Sequence, residues 1–142
     1  MKTYPLRLAA LPLILLLAGY PFFPGYFNWS EELEQVSLLT RQIFWVHNVF
    51  IVLLLMMQAL LLAGFPQLLT RPSPAGLALT LGLLVFWGAR LFLQLFYYDV
   101  SHWLGKVFES VVHFGLTGAI AYMIAVFTLA LRCQWRALQA AA

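Results

Sequence analysis

Formally charged positions are so sparse along this chain that four long apolar stretches stand out. Residues 8–27 carry no Asp, Glu, Lys or Arg over 20 positions, and residues 43–65 carry none over 23. Residues 75–98 run for 24 positions broken only by Arg90, and residues 107–131 for 25 broken only by Glu109. About 20 apolar residues in a helix cross the ~30 Å hydrocarbon core of a bilayer. Lipid offers no partner to backbone N–H and C=O groups, so each crossing must be a helix. The pattern therefore predicts an all-α, polytopic membrane protein with residues 1–142 as one domain. Its helices are expected at about 6–27, 39–65, 75–98 and 105–131, joined as an up-down bundle of four transmembrane helices.

The first stretch has a rival reading. Lys2 and Arg7 followed by the run 8–18 resemble a signal peptide, but an Ala-x-Ala cleavage pattern is missing. An uncleaved first helix is expected, kinked at Pro12 and ended by Pro21 and Pro24. Between the first and second helices, Ser30 is a candidate N-cap with Glu31 and Glu32 in the first turn behind it. Trp29, Leu33 and Val36 recur at helical spacing, which predicts a short amphipathic helix on the outer membrane surface.

Composition agrees with lipid as the main solvent. Hydrophobic residues make up 63% of the chain and charged residues 9%, against about 25% charged in soluble domains. The net charge of +3 is spread over eight bases without a basic run, which argues against a nucleic-acid partner. Lys2, Arg7, Arg71, Arg132 and Arg136 flank the spans on one side, while Arg41 and Lys106 flank them on the other. Short loops rich in Lys and Arg stay inside, so both termini are expected in the cytoplasm. Arg41-Gln42 with His47, and Phe86-Trp87 with Arg90 and Gln94, resemble what is found in small bacterial membrane proteins. That resemblance carries no function, but it sets the bacterial inner membrane as the expected location. Cys133 is the single cysteine and excludes an internal disulfide or a cysteine metal cluster.

The candidate chemistry lies inside the spans. His47 falls roughly 10 Å below the outer end of the second helix, Arg90 roughly 12 Å below that of the third, and His113 roughly 10 Å below that of the fourth, at 1.5 Å per residue. Ionisable residues at such depths are costly and usually face the bundle interior. Neighbours at helical spacing extend each position into a stripe. These are Trp87, Arg90, Gln94 and Tyr97 or Tyr98 on the third helix, and Glu109, Ser110, His113 and Thr117 on the fourth. On the second helix they are Arg41, Trp45 and Asn48, with Thr40 and His47 beside them. The three stripes are expected to meet. Arg90 needs a partner, and Glu109 is the candidate ion pair.

His47, Arg90, His113, Arg41, Gln94, Glu109, Trp87 and Asn48 thus form the candidate binding set, with no catalytic or metal-ligating group among them. The simplest function is an accessory or structural membrane subunit in which the polar layer fastens helices. A second reading is a b-type haem held between His47 and His113, or a quinone walled by Trp45, Trp87, Tyr97, Tyr98 and Trp103. A third is a small transporter or membrane enzyme for an anionic or lipid ligand. Asp99, Ser101 and His102 read as loop-closing residues. Gly115-x-x-x-Ala119 and Ala121-x-x-x-Ala125 predict close helix packing, within the bundle, in a homo-oligomer or in a larger membrane complex.

Overall fold

A computed structural model describes residues 1–99 and 104–140. The protein is an all-α bundle, 85% helical with no strand among the described residues. Four helices are long and apolar enough to cross a membrane: α1 (Tyr4–Tyr26), α3 (Leu38–Gly64), α4 (Pro74–Phe96) and α5 (Val107–Gln139). A short helix, α2 (Trp29–Glu34), lies between α1 and α3. The chain runs up and down, so Tyr4, Gly64, Pro74 and Gln139 mark one end, here the terminal end. Tyr26, Leu38, Phe96 and Val107 mark the opposite end.

Each boundary has a local cause. In α1 the helical pattern breaks at Ala9, where the ring of Pro12 crowds the carbonyl of Leu8 four residues earlier. The helix closes at Tyr26, beside the expected 27, with Pro21 and Pro24 just inside its end. They tighten Tyr20–Phe22 into a 3-10 turn, and helix resumes to Tyr26. The chain then turns at Asn28, whose φ of 49° is left-handed, a conformation Asn tolerates better than most residues. Asn28 also occupies the N-cap position of α2, so Ser30 lies inside that helix and not at its cap. The two side-chain caps sit elsewhere. The Ser37 hydroxyl accepts from the Thr40 N–H at 3.2 Å, and the Ser73 hydroxyl accepts from the Gly76 N–H at 3.0 Å. Pro74 follows Ser73 at the first helical position, where its missing N–H costs nothing.

Packing is tightest within two hairpins, α1 with α3 and α4 with α5. The core holds Leu6, Ala9, Ala10 and Leu13 of α1, with Leu55, Ala59 and Leu62 of α3. Leu83 and Trp87 of α4 complete it with Ile120, Met123, Val126 and Phe127 of α5. All of these lie in the terminal half or near the middle. Beyond them, towards the opposite end, Gln94 is the one buried residue among those described. The helices therefore close around one half of the bundle and splay in the other. The exposed surface of 9595 Å² exceeds the roughly 7,400 Å² expected for a compact soluble monomer of this mass. Much of it is apolar side chain, including Val46, Phe50, Phe92, Val111 and Phe114. In lipid such residues need no cover, and helix association rests on close packing and hydrogen bonds rather than on apolar burial.

Candidate functional site

In the splayed half, α4 and α5 are joined by a three-residue relay. Arg90 donates from Nη1 to Oε1 of Gln94 at 2.8 Å, and Nε2 of Gln94 lies 2.9 Å from Nδ1 of His113. A guanidinium can only donate, so it must meet the carbonyl oxygen of the amide. The amide nitrogen is left facing the imidazole and can only donate in turn. Nδ1 of His113 is then the acceptor, and the neutral ring carries its proton on Nε2. Arg90 also sits 5.6 Å from the centre of the Tyr98 ring, within cation–π range. Spacing explains the alignment, because residues 90, 94 and 98 are successive i, i+4 neighbours on α4.

His113 and Gln94 form the floor of an open cleft of ≈ 780 Å³. Its walls are largely aromatic: Tyr26 and Phe27 from the end of α1, Trp29 from α2, Tyr98 after α4 and Phe108 from α5. Glu32, Lys106 and Glu109 add charge at the rim. The extension of α1 past its prolines builds one wall. Tyr26 reaches α5, donating to Oε1 of Glu109 at 3.0 Å and packing on Phe108 with ring centres 5.4 Å apart. Trp29 turns inward, with Phe44 at 5.1 Å and Phe27 stacked at 6.3 Å. The cleft thus offers a hydrogen-bonding floor and an apolar mouth, a combination suited to an amphipathic molecule.

The expected residues divide between this cleft and other places. Arg90, Gln94 and His113 come together as anticipated, and Glu109 lies on the same cleft. Glu109 accepts from Tyr26, so the anticipated ion pair with Arg90 is replaced by the Gln94 amide and the Tyr98 ring. His47 is not brought to the relay. It is exposed on α3 and lies 2.9 Å from its own helix at the Ile43 carbonyl. That carbonyl can only accept, so Nδ1–H donates to it, and the rest of the ring is exposed. Asn48 accepts from the Tyr20 hydroxyl at 2.6 Å and fastens α3 to α1. Trp87 is 3% exposed and donates to Gln58 at 2.8 Å, inside the core. Arg41 is half-buried near the start of α3 and does not line the cleft. Of the four anticipated aromatic walls among the described residues, only Tyr98 lines it; Trp103, like Ser101 and His102, lies outside the described residues.

One polar cluster was not signalled by the stripes. At the terminal end, Gln134 of α5 is fully buried, and its Nε2 donates to the Leu69 carbonyl at 2.9 Å and to the Thr80 hydroxyl at 2.8 Å. Thr80 passes the bond on to the Gly76 carbonyl at 2.8 Å. The fourth span is expected to close at about 131, which leaves Gln134 beyond it. In the fold α5 continues to Gln139 and draws it inside. Gln58, a lone amide in an apolar run, and Tyr20 and Tyr26 at the end of the first span carried a signal only as isolated polar groups. Comparison with protein-family models, characterised proteins and solved structures finds no match.

Proposed function

We propose that this chain is a non-catalytic integral membrane protein, an accessory or structural subunit that works within a homo-oligomer or a larger membrane complex. The observation that carries this reading is the use made of its polar side chains. Tyr20–Asn48, Trp87–Gln58, Gln94–His113, Tyr26–Glu109 and Thr80–Gln134 each bond one span to another. They are distributed along the bundle and do not converge on one reacting point. The exposed ring of His47 and the open faces of Gly115 and Gly118 support a partner in the membrane, since small residues allow close helix approach. The distribution of bases supports cytoplasmic termini, and the bacterial inner membrane remains the proposed location.

A second reading rests on the aromatic cleft. His113 and Gln94, with Arg90 behind them, would hydrogen-bond the carbonyl of a quinone or the head group of a lipid. A b-type haem is less well supported, because two axial imidazoles would have to share one cavity and His47 does not line this cleft. Transport or enzymatic action on an anionic ligand ranks third, since the rim carries Glu32 and Glu109 beside Lys106.

The two leading readings separate in one preparation. The subunit reading expects the detergent-purified protein to carry neither a Soret band nor stoichiometric quinone, and expects Gln58→Leu and His113→Ala to lower the monodisperse yield. Stoichiometric quinone that His113→Ala removes without loss of folded protein would overturn it in favour of the cleft.

A further inference from the structure

The terminal end has a charge imbalance that the fold concentrates at one place. All five acidic side chains lie at the opposite end: Glu31, Glu32 and Glu34 on α2, Asp99 after α4, and Glu109 in the first turn of α5. Lys2, Arg7, Arg71, Arg132 and Arg136 occupy the terminal end with no carboxylate side chain among them. Two of these bases border a single cleft of ≈ 310 Å³ between α4 and α5, lined by Leu77, Leu81, Leu131, Arg132, Trp135 and Arg136. The guanidinium groups of Arg132 and Arg136 have no hydrogen-bond or ion-pair partner among the described residues.

The cleft is built and not incidental. Leu77 and Leu81 lie one turn apart on α4, Leu131 and Trp135 one turn apart on α5, and Arg132 and Arg136 form the adjacent row. The two helices are pinned beside it by the Gln134 bonds to Thr80 and Leu69. Gly76 permits that approach, because a Cβ there would stand 2.7 Å from the Leu68 carbonyl oxygen and 2.9 Å from Oε1 of Gln134. A leucine floor therefore meets two guanidinium groups within the last two turns of α5. Trp135, 55% exposed, sits beside them as interfacial tryptophans do.

We propose that this cleft binds an anionic phospholipid, with its phosphodiester on Arg132 and Arg136 and part of one acyl chain along Leu77, Leu81 and Leu131. Guanidinium forks match phosphate oxygens in pairs, and basic pockets between membrane helices recognise anionic head groups. A volume near 310 Å³ is at the small end for ligand sites, so it takes a chain segment and leaves the head at the rim. This site is separate from the aromatic cleft at the opposite end and does not rest on that cleft's ligand.

The test is native mass spectrometry of the full chain released from detergent, titrated with dioleoyl phosphatidylglycerol or dioleoyl phosphatidylcholine. Each interfacial base contributes about a fivefold gain towards anionic lipid, so Arg132→Gln with Arg136→Gln should weaken phosphatidylglycerol binding about thirtyfold. Leu81→Trp, which fills the floor and leaves the charge intact, should weaken it at least fivefold. A combined Lys2→Gln, Arg7→Gln and Arg71→Gln variant, which removes one charge more, should change it less than threefold. Equal binding of phosphatidylcholine, displacement by excess inorganic phosphate, or an equal loss in the combined variant would each overturn the proposal. The first would mean a non-selective lipid surface, the second a free-anion site and the third diffuse surface attraction.

Discussion

Replacing Gln94 interrogates the relay at its one member that touches both neighbours. In Gln94→Leu the Arg90 guanidinium loses its carbonyl acceptor and Nδ1 of His113 loses its donor, while side-chain volume changes little. Interhelical hydrogen bonds in membranes average about 0.6 kcal/mol and reach about 1.7. The two bonds together therefore contribute about 1–3 kcal/mol. The upper part of that range is favoured because Gln94 is 6% exposed and water cannot easily replace it. The loss is limited by the Tyr98 ring, which stays beneath Arg90 at 5.6 Å. Gln94→Glu perturbs the same place differently. The carboxylate still accepts from Arg90 but presents an acceptor to His113, so the imidazole must turn an N–H towards it. Nitrogen-15 NMR of labelled histidine should show His113 protonated at Nε2 in the native protein and at Nδ1 in Gln94→Glu. Unfolding in mixed micelles should give the Gln94→Leu loss. A destabilisation below about 0.3 kcal/mol, or an unchanged His113 tautomer in Gln94→Glu, would refute the relay.

Other substitutions probe the packing around it. Gly76→Ala should destabilise by about 1–2 kcal/mol, because overpacking costs about 1–3 and the gain in helix propensity returns less than 1 near a helix start. Gly118→Ala, with nothing within 4 Å of the added methyl, should be neutral or stabilising by up to about 1 kcal/mol in the same unfolding assay. Tyr20→Phe removes the 2.6 Å bond to Asn48 and should cost about 0.6–1.7 kcal/mol, visible as a lower thermal midpoint in detergent. His47→Leu should change monomer stability by no more than about 0.5 kcal/mol. If His47 faces a partner, its loss should appear on native gels as a weakened complex.

Hydropathy made the four spans legible because the bilayer imposes one length and one backbone solution on each. The positions of Arg90, Gln94 and His113 were legible too, since helical spacing on two antiparallel neighbours brings equal depths together. What the pattern could not give was rotation. His47 shares their depth, yet α3 turns it outward, because a histidine that bonds its own helix at Ile43 no longer needs the core. Trp87 shares a stripe with Arg90, but Gln58 on α3 captures its indole N–H. The last helix runs past its expected end, where charge stood in for geometry. Arg132 suggested the close of the last span, although an arginine can reach the interface from a helix that continues. The first helix ends at Tyr26, beside the expected 27, and near-helical turns absorb Pro21 and Pro24 just before that end.

The bonds between spans also show how the two hairpins are held together. The α1–α5 seam is tied near both ends of α1, by Tyr26 to Glu109 and by the Tyr122 hydroxyl, midway along α5, to the Pro5 carbonyl at 3.1 Å. The α3–α4 seam has one polar tie among the described residues, Gln58 to Trp87, at mid-height. On the first seam the Tyr26 bond is exposed, where water can satisfy the hydroxyl if it opens, and the Tyr122 bond is part-buried midway along α5. The tie on the second seam is buried, and opening it would strand an amide and an indole N–H in a core that offers no substitute. The second seam is thus held by fewer bonds but a costlier one to break. Any rearrangement that widens the aromatic cleft is accordingly cheapest at the splayed end of α1, pivoting Tyr26 and Phe27 away from Glu109 and Phe108 while the Gln58–Trp87 tie and the core beneath it remain closed.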